Sequence, residues 1–488
     1  MPEMRHFSLL LPLALISLIL FLGLYNLAGN LMNDDEGPYL YASWRISQGE
    51  TPYRDFFVSQ TPLSFYVTAA LFRVFGPDIL WARAACFLLI FATGLLIYST
   101  AYKLLNFDRN LSLGMAAVFL LTKQIYFLGR TFMPDCYMLF FCTAAVYFAL
   151  KSDLPGNNKG PKTTVFLFGI FSGLATLSKA SGILLPVGYL IYLLYLLLKK
   201  TEKPQDAAGK AFLSAAGFGL TFGLIYVLML FFVPGTYHST IGFHMAKEKT
   251  AAAALLTLPF LRLGQFIGNH NYGLIPVALI GLIFGQVKER KRVLLVSVLL
   301  AILGLAFLPG EFYLRYVVFA LIPLIFFFGA GIKLLISHTK LKSFALPIAA
   351  FLVLLSLGPT FNLKRLGAHD TGTRILAAYV KAQTAPDDYV FGDDPTINFC
   401  AERLCPPRLV DVSGAMTKSG QITAADVLND CERYSVKLVF VEKGHSAHHL
   451  KNLRDFPVFE SYLRERYDFV KSIRREFLEV DIYKRRLF

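Results

Sequence analysis

The chain has 488 residues, of which 55% are hydrophobic and only 17% are charged, and its mean hydropathy is +0.52. Soluble globular chains carry about a quarter charged residues, so this composition excludes a soluble protein and requires lipid to cover much of the apolar surface. The net charge of +15 is typical of a membrane protein with basic cytoplasmic loops. It does not indicate nucleic-acid binding, because no basic stripe with interleaved aromatic residues stands out in a polar segment.

Apolar runs divide the first 360 residues and predict an α-helical polytopic membrane domain, 1–360, with about eleven transmembrane helices. The first run is too long for the core of a signal peptide and lacks a small-residue cleavage site, so we expect it to remain as the first helix. The runs lie at 7–29, 80–102, 111–128, 134–150, 163–178, 181–198, 211–233, 272–287, 293–308, 315–336 and 343–360.

Basic residues follow every second apolar run, as the positive-inside rule requires of cytoplasmic loops. This alternation predicts a cytoplasmic N-terminus in the cytoplasmic (inner or plasma) membrane. An odd number of spans then places the C-terminal part outside. The basic residues of these loops are Lys103, Arg109, Lys151, Lys159, Lys162, Lys199, Lys200, Lys203, Lys210, Lys288, Arg290, Lys291, Arg292, Lys340 and Lys342.

Two of the predicted outer loops are long. Residues 30–79 contain acidic groups and then an amphipathic stretch, Leu63–Phe75, which we expect to lie at the membrane interface. Residues 234–271 hold His238, His244 and His270. No internal repeat is visible in the sequence, which weighs against a transporter built from inverted repeats.

The composition changes after Pro359, and residues 361–488 predict a small extracytoplasmic α/β domain. Its loop 392–395 follows a strand without a phosphate-binding glycine pattern, so we expect it to cover substrate or to serve structure rather than catalysis. The cysteines lack the CxxC spacing of a zinc site, and a disulfide between Cys400 and Cys405 stays open. The predicted elements are helices at 374–383 and 424–434, strands at 388–392 and 437–442, and a hairpin of 469–473 with 477–483.

Ionisable residues gather at the outer ends of four predicted helix junctions. They are Asp34, Asp35 and Glu36 after the first span, Asp135 at the fourth, Lys179 before the sixth, and Arg315 with Tyr316 at the tenth. Burying such groups costs free energy unless they pair or serve a site, so their common depth predicts one polar cavity. Three alternatives stay open: a solvated acidic loop at 34–36, a helix-start acid at Asp135, and snorkelling of Lys179 or Arg315 to lipid phosphates.

The residue types of this cavity suit one kind of transfer chemistry. A carboxylate can take a proton from an acceptor hydroxyl, and Lys, Arg and Tyr can stabilise a phosphate leaving group. A polyprenyl-phosphate sugar in the bilayer would present its phosphate at this depth. These residues permit such a reaction but do not select it over others.

Four motifs within residues 1 to about 340 resemble, in order and spacing, those of family 39-type GT-C glycosyltransferases. That family includes the lipid A aminoarabinose transferase and the protein O-mannosyltransferases. The motifs are Asp34-Asp35-Glu36-Gly37-Pro38-Tyr39-Leu40-Tyr41-Ala42 (followed by Tyr53-Arg54-Asp55-Phe56-Phe57 and Thr61-Pro62-Leu63), Gly129-Arg130-Thr131-Phe132-Met133-Pro134-Asp135, Gly173-Leu174-Ala175-Thr176-Leu177-Ser178-Lys179, and Arg315-Tyr316.

The resemblance implies an inverting transfer of a sugar from a polyprenyl-phosphate donor to an envelope acceptor, which is a lipid, a glycan or a protein. By the same resemblance the site residues are Asp35 as general base, Asp135 as second acid, Lys179, Arg315, Tyr316 and Arg54 toward the donor phosphate, and Asp34, Glu36 and Tyr39 toward the acceptor. The chain departs from the family at Gln60-Thr61 before Pro62, where the aminoarabinose transferase carries Glu-Lys and the Glu is a metal ligand. A divalent metal site therefore stays open, with His244 and His270 as candidate ligands.

Two alternatives come from other functional classes. A lipid-linked saccharide transporter or flippase would need cations along a path across the bilayer, and mid-span charges are few in this sequence. A non-enzymatic scaffold for envelope assembly would use residues 361–488 as its binding module.

Overall fold

The computed structural model describes residues 3–29, 35–153, 160–245, 254–268, 273–307, 314–337, 370–443, 449–475 and 478–486. The described part before residue 338 is almost wholly helical. Its helices are α1 (Glu3–Leu24), α2 (Glu36–Ser47), α3 (Leu63–Phe75), α4 (Ile79–Ser99), α5 (Arg109–Leu121), α6 (Lys123–Leu128), α7 (Pro134–Ser152), α8 (Gly160–Ser178), α9 (Leu184–Leu198), α10 (Pro204–Phe218), α11 (Leu224–Phe232), α12 (Phe243–Met245), α13 (Ala254–Gly268), α14 (Leu274–Phe284), α15 (Glu289–Leu303) and α16 (Leu321–Ser337).

The predicted apolar runs coincide with helices wherever the structure describes them. Four helical segments of the described residues are long and apolar enough to cross a membrane: Ile79–Leu104, Ala180–Leu198, Pro204–Phe232 and Val317–Ser337. Short π or 3-10 turns extend or join helices within these segments. The eleventh run, 343–360, lies outside the described residues, so the count of eleven spans stays a prediction.

Residues 30–79, predicted as the first outer loop and called so below, contain two helices in their described part, of which one was predicted. The amphipathic stretch is α3, with Phe65 and Phe72 buried on one face and Val74 and Phe75 exposed on the other. Helix α2 was not predicted, because Gly37-Pro38 in its sequence is typical of a turn. Proline is tolerated in the first turn of a helix, where its missing N–H has no partner to lose.

Helix α16 is central in the membrane part. In its most apolar stretch 83% of the residues are buried, against 11% for Pro204–Phe232 at the periphery. Helices α14 and α16 approach closely because Gly281 lies against the Phe327 carbonyl and Gly331 against the Val277 carbonyl, where a Cβ would lie 1.8 and 2.2 Å from the respective oxygens. Small residues at such crossings are how apolar helices pack tightly without a hydrophobic driving force between them.

Residues 370–486, the C-terminal segment, contain a four-stranded sheet of β1 (Val390–Gly392), β2 (Leu438–Lys443), β3 (Tyr467–Arg475) and β4 (Leu478–Arg485). The order is β1-β2-β4-β3, with β1 parallel to β2 and the other pairs antiparallel. The predicted strands and hairpin are present. Helices α17 (Thr371–Gln383) and α20 (Ala424–Arg433) were predicted, whereas α18 (Thr396–Ala401), α19 (Gly414–Ser419) and α21 (Phe456–Arg466) were not.

Cysteines make no covalent link in this fold. All six are free thiols, and neither Cys400 nor Cys405 is bonded to the other. Burial raises the pKa of Cys400 to about 12, which keeps its thiol neutral and unreactive.

Candidate active site

Two of the predicted site residues form a buried ion pair. The Lys179 Nζ donates to Asp135 Oδ1 at 2.6 Å, and only 9% and 2% of the two side chains are exposed. Asp135 lies in the first turn of α7, directly after Pro134. Lys179 follows the end of α8 in extended backbone, before the 3-10 turn Ala180–Ile183. The turn therefore directs the ammonium toward the start of the neighbouring helix.

A second buried ion pair joins α4 to the first acidic motif, residues 34–42. Arg83 donates from Nε to Glu36 Oε1 at 2.9 Å and from Nη2 to Glu36 Oε2 at 2.7 Å, and neither side chain is exposed. The backbone N–H of Phe132 also donates to Glu36 Oε1 at 2.6 Å. Arg83 Nη1 reaches the Leu27 carbonyl at 2.9 Å. The Arg83–Glu36 pair thus connects the segment after α1 with the first acidic motif and with the second acidic motif, residues 129–135.

Sequence reasoning missed Arg83. The signal was available, because Arg83 is a single charge within the apolar run 80–102, and an ionisable residue inside a span indicates a buried partner or a function. Its partner Glu36 lies 47 residues away in sequence, so the pairing itself could not be read from one chain. The pair leaves Glu36 no simple route to an acceptor and gives it a structural role beside Asp35.

Asp35 precedes α2 and is half-buried. Its neighbour in the chain is the clamped Glu36, which fixes the backbone on one side of it. Tyr39 lies one turn further along α2, where its buried ring packs against Phe65 of α3 with 5.7 Å between ring centroids. Helix α2 therefore sets the position of the predicted base. Contacts with Arg83 and with α3 hold this helix in place.

Arg130, in the second acidic motif, is also buried. Its Nη1 donates to the carbonyls of Leu22 and Gly23 at 2.6 and 3.1 Å, and its guanidinium stacks on Tyr126 at 5.5 Å from the ring centroid. These contacts hold the second motif against the end of α1.

Arg54 contacts a different partner from the one predicted. It donates from Nε and Nη2 to the two carboxylate oxygens of Asp55, each at 2.8 Å, and half of its side chain is exposed. Its guanidinium lowers the pKa of Asp55. A role of Arg54 at the donor phosphate would require this exposed pair to open, which costs little because surface ion pairs are weak.

Several predicted site residues lie outside what the structure describes. Asp34 and His270 are outside the described residues altogether. The backbone of Arg315 and Tyr316 lies in the 3-10 helix Leu314–Ala320 that leads into α16. Their side chains are outside the description, so their role toward the donor phosphate stays a prediction.

His244 does not have the contacts of a metal ligand at its Nε2. That atom lies 2.8 Å from the Ser59 carbonyl oxygen. A carbonyl can only accept, so Nε2 carries the proton and has no lone pair for a metal. In the described ranges no group of three or more His, Cys, Asp or Glu side chains is placed to hold a metal ion. At residue 60 the chain offers the neutral amide of Gln60, where the relative has a metal-binding carboxylate.

The C-terminal segment packs directly on the first outer loop. The Cys405 N–H donates to Tyr41 Oη, and the Phe57 N–H to the Pro407 carbonyl, at 2.8 and 2.9 Å. The ring of Phe399 stacks on that of Phe72 at 5.6 Å between centroids. These contacts place the C-terminal segment against α2 and α3.

The loop 392–395 uses its carboxylates within the C-terminal segment. Asp394 pairs with Arg475 at 2.6 Å, and Asp393 accepts from the backbone N–H groups of Glu442 and Leu450 at 2.9 and 2.8 Å. Asp394 Oδ1 also accepts from the N–H and hydroxyl of Thr396 at 2.8 and 2.6 Å. Both carboxylates are therefore bonded within the C-terminal segment, which agrees with a structural role for the loop rather than with catalysis.

Comparison with known proteins places these features in one fold. A family model described as dolichyl-phosphate-mannose-protein mannosyltransferase matches residues 53–245. That range includes Asp135, Lys179 and His244 and begins after Asp35. No curated protein sequence matches the chain significantly.

Solved structures are similar to nearly the whole chain. ArnT from Cupriavidus metallidurans in the apo state has a TM-score of 0.70 at 13% identity over 98% of each chain. The same protein bound to undecaprenyl phosphate has a TM-score of 0.68 at 13% identity, over 96% of this chain and 97% of that one. The archaeal oligosaccharyltransferase AglB from Archaeoglobus fulgidus, in complex with an inhibitory peptide and a dolichol-phosphate, has 0.53 at 13% over 89% and 69%.

The Archaeoglobus fulgidus oligosaccharyltransferase in complex with Zn and sulfate has a TM-score of 0.50 at 12% identity over 87% of this chain and 67% of that one. Identities this low establish the fold alone. The chain therefore has the GT-C fold of these membrane glycosyltransferases, and the resemblance predicted from its motifs is confirmed.

Proposed function

We propose that the protein is an inverting glycosyltransferase that moves a sugar from a polyprenyl-phosphate donor to an envelope acceptor at the outer face of the cytoplasmic membrane. One observation carries the proposal: the Asp135–Lys179 pair is buried where α7 begins, next to a segment that Glu36 ties to the first acidic motif. A buried charge pair costs desolvation free energy, and both of its members belong to motifs of the family. The GT-C fold of the whole chain supports the same function.

Asp35 is the general base in this proposal. The acceptor hydroxyl oxygen bonds to the anomeric carbon while the bond from that carbon to the donor phosphate oxygen breaks. The hydroxyl proton passes to the Asp35 carboxylate, and the electron pair of the broken bond stays on the polyprenyl phosphate. Attack on the face opposite the phosphate inverts the anomeric configuration. The acceptor class (lipid, glycan or protein) is left to experiment.

Lys179 stabilises the phosphate that leaves. An ammonium has three N–H donors, and Asp135 Oδ1 takes one of them. The pair therefore holds the ammonium in one orientation before substrate arrives, which is what electrostatic stabilisation of a developing charge requires. Arg315 and Tyr316 complete the phosphate site in the proposal, and Asp34 and Tyr39 line the acceptor side through their place in the first motif. Glu36 holds that motif in place through its pair with Arg83.

The test is a transfer assay with purified protein in liposomes. Polyprenyl-phosphate sugars of several kinds are offered together with envelope lipid, glycan and protein acceptors, and products are identified by mass spectrometry. We expect wild type to transfer one sugar and Asp35→Asn to lose transfer. The matched control is Asp78→Asn, because Asp78 is an exposed acid that caps α4 through the Leu80 N–H, a contact that asparagine keeps.

Three results would contradict the proposal in whole or in part. Equal transfer by wild type and Asp35→Asn would show that the base is wrongly assigned. Movement of the lipid-linked sugar across the liposome bilayer without any transfer would assign the chain to the transporters. A variant lacking residues 361–488 that retains a binding activity, while Asp35→Asn and Asp135→Asn change nothing, would favour a scaffold.

A further inference from the structure

Ser59 joins three parts of the chain that are distant in sequence. Its N–H donates to Asp411 Oδ2 of the C-terminal segment at 2.8 Å. Its carbonyl accepts from His244 Nε2, in the second outer segment, at 2.8 Å. Ser59 and Asp411 are both buried, each with 7% of its surface exposed. Side chains from two distant parts of the chain thus hold the N–H and the carbonyl of Ser59.

Further contacts hold the same three parts together. Phe57 packs edge-to-face on Phe243, with 5.6 Å between ring centroids. Tyr53 Oη donates to the Gln60 carbonyl at 2.6 Å. Gly235 has a φ of +88°, and a Cβ there would lie 2.4 Å from the Tyr53 carbonyl oxygen. The second outer segment therefore touches the first loop at more than one point.

The held backbone leads straight into the site. Helix α3 begins four residues after Ser59, and its buried face reaches both acidic motifs. Phe65 packs on Tyr39 of α2, and the Thr68 hydroxyl lies 3.1 Å from the hydroxyl of Tyr137, two residues after Asp135. A shift of Ser59 would move α3, and α3 would carry both motifs with it.

These contacts occupy the His244 nitrogen that faces the first outer loop, so a metal ion that bridges the two outer segments cannot bind at Nε2. Residue 60 is Gln, whose neutral amide is a poor ligand for a divalent ion compared with a carboxylate. The His244 Nε2 carries a proton toward Ser59. The histidine that would complete such a bridge through this atom instead makes a hydrogen bond to the loop itself.

We propose that His244 and Asp411 are positioning residues that clamp Ser59, and that this clamp is independent of a divalent metal ion. The inference rests on the proposed function only for its activity readout. The clamp fixes the first outer loop, and through α3 it fixes the distance between the two acidic motifs. It also gives the C-terminal segment a part in the site, through Asp411.

The clamp is tested first without substrate, by hydrogen–deuterium exchange of peptides covering residues 53–62 in detergent. His244→Phe and Asp411→Ala remove the hydrogen bonds and should speed exchange in this region. His244→Gln and Asp411→Asn keep a donor and an acceptor and should restore slow exchange. The controls are His238→Gln and Asp387→Ala, since both residues are exposed. Equal exchange in wild type and both clamp-deficient variants would overturn the clamp.

The metal is tested on the same purified protein. EDTA should leave Tm, exchange of residues 53–62 and transfer unchanged, and titration with Zn²⁺ or Mn²⁺ should show no saturable binding that depends on His244. Loss of transfer or faster exchange on chelation, reversed by Zn²⁺ and absent in His244→Phe, would overturn metal independence.

Transfer kinetics separate positioning from folding. Misplacing the loop should lower kcat by about a hundredfold, as small displacements of a site do, with Tm close to wild type, and the Gln and Asn variants should recover most of the rate. If kcat falls together with Tm and the Gln and Asn variants do not restore it, the two hydrogen bonds serve folding and do not position the site. If wild type transfers no sugar at all, the proposed function fails, while exchange and metal binding still judge the clamp.

Discussion

Arg83 and Glu36 form a bidentate ion pair in which neither side chain has exposed surface. The carboxylate also accepts the Phe132 N–H, so Glu36 is bonded to both α4 and the second acidic motif. Asp35 is one residue from Glu36, and Asp135 is three residues from Phe132. The separation of the two proposed acids therefore depends on one buried pair of which neither acid is a member.

Substituting one member of this pair should destabilise the protein more than substituting both members. In Arg83→Met, Glu36 is left as an unpaired buried charge, and we expect about 3–5 kcal/mol of destabilisation. The double variant Arg83→Met/Glu36→Leu should recover much of this loss, because no charge is then buried. Thermal melting in detergent measures both, with Arg109→Met, an exposed arginine, as the matched control.

The double variant should nevertheless fail to transfer sugar, since Phe132 N–H has lost its acceptor and the two motifs have lost their connection. Wild-type transfer by a stable double variant would show that the pair serves stability alone. A single variant as stable as the double would show that Glu36 finds another partner.

The helices were predictable from the sequence because apolar length and alternating basic loops are local signals. The stretch Leu63–Phe75 was predicted to the residue, since Pro62 and Gly76 mark its ends. Helix α13 was missed because it contains Pro259, which ordinarily interrupts a helix. The C-terminal hairpin was predictable from alternation, whereas the parallel pairing of β1 with β2 depends on contacts that a single strand pattern does not record.

The motifs predicted candidate site residues, but they did not predict the partners of those residues. Asp135 and Lys179 were placed in one cavity because each stands at an outer helix end, and the structure pairs them. Arg83 and Asp411 were missed, because their partners Glu36 and Ser59 are 47 and 352 residues away. Arg54 was assigned to the donor phosphate by resemblance. In the structure it pairs with its neighbour Asp55, to which the resemblance gives no role.

Lys179 should contribute to catalysis as an oriented ammonium. Lys179→Met removes the donor to the leaving phosphate, and we expect kcat to fall by about 10²–10³-fold, as for loss of one preorganised donor. Lys179→Arg should not restore it, because a planar guanidinium cannot replace a compact ammonium in a site formed around Asp135 Oδ1. Lys199→Met, at an exposed lysine, is the control for charge removal.

Asp135→Asn tests the same pair from the other side. Lys179 then keeps a hydrogen-bond acceptor but loses its counter-charge, so both stability and transfer should fall. Steady-state kinetics over donor concentration separates the two contributions. A rise in KM alone, with kcat unchanged, would assign the pair to donor binding rather than to stabilisation of the leaving phosphate.

Gly37 should be required for the C-terminal segment to pack on the first motif. A Cβ at this position would lie 2.3 Å from Asp394 Oδ1 and 2.7 Å from the Thr396 N, and these groups are fixed by the Asp394–Arg475 pair. We expect Gly37→Ala to destabilise the protein by about 1–3 kcal/mol, as overpacking does, and to lower transfer. Limited proteolysis of the C-terminal segment should become faster.

Gly114→Ala is the matched control for that experiment. Gly114 is within α5, and a Cβ there meets no atom within 4 Å, so alanine should be neutral or should stabilise the helix by about 0.5–1 kcal/mol. If Gly37→Ala melts and transfers like Gly114→Ala, the C-terminal segment is free to shift away from α2 without consequence.

Asp393 should make the C-terminal segment less stable as pH rises. Burial is the main cause that raises its pKa, against the two backbone N–H groups that it accepts. The folded-state pKa therefore lies above the unfolded value of about 4. Asp393 contributes stability that is present below that value and is lost as pH rises through the folded-state pKa. Asp393→Asn removes this titration, so wild type should lose stability relative to the variant from about pH 4 upward.

Hydrogen exchange along β2 reports the effect locally, because the Glu442 N–H is bonded to Asp393. In wild type, amide exchange of this strand should accelerate with pH more than the intrinsic rate of amide exchange does. This excess should be absent in Asp393→Asn. Asp387→Asn, at an exposed position, should behave as wild type. The same excess in both variants would mean that another group in the segment titrates. No excess in wild type would mean that the backbone N–H groups compensate fully for burial of the carboxylate.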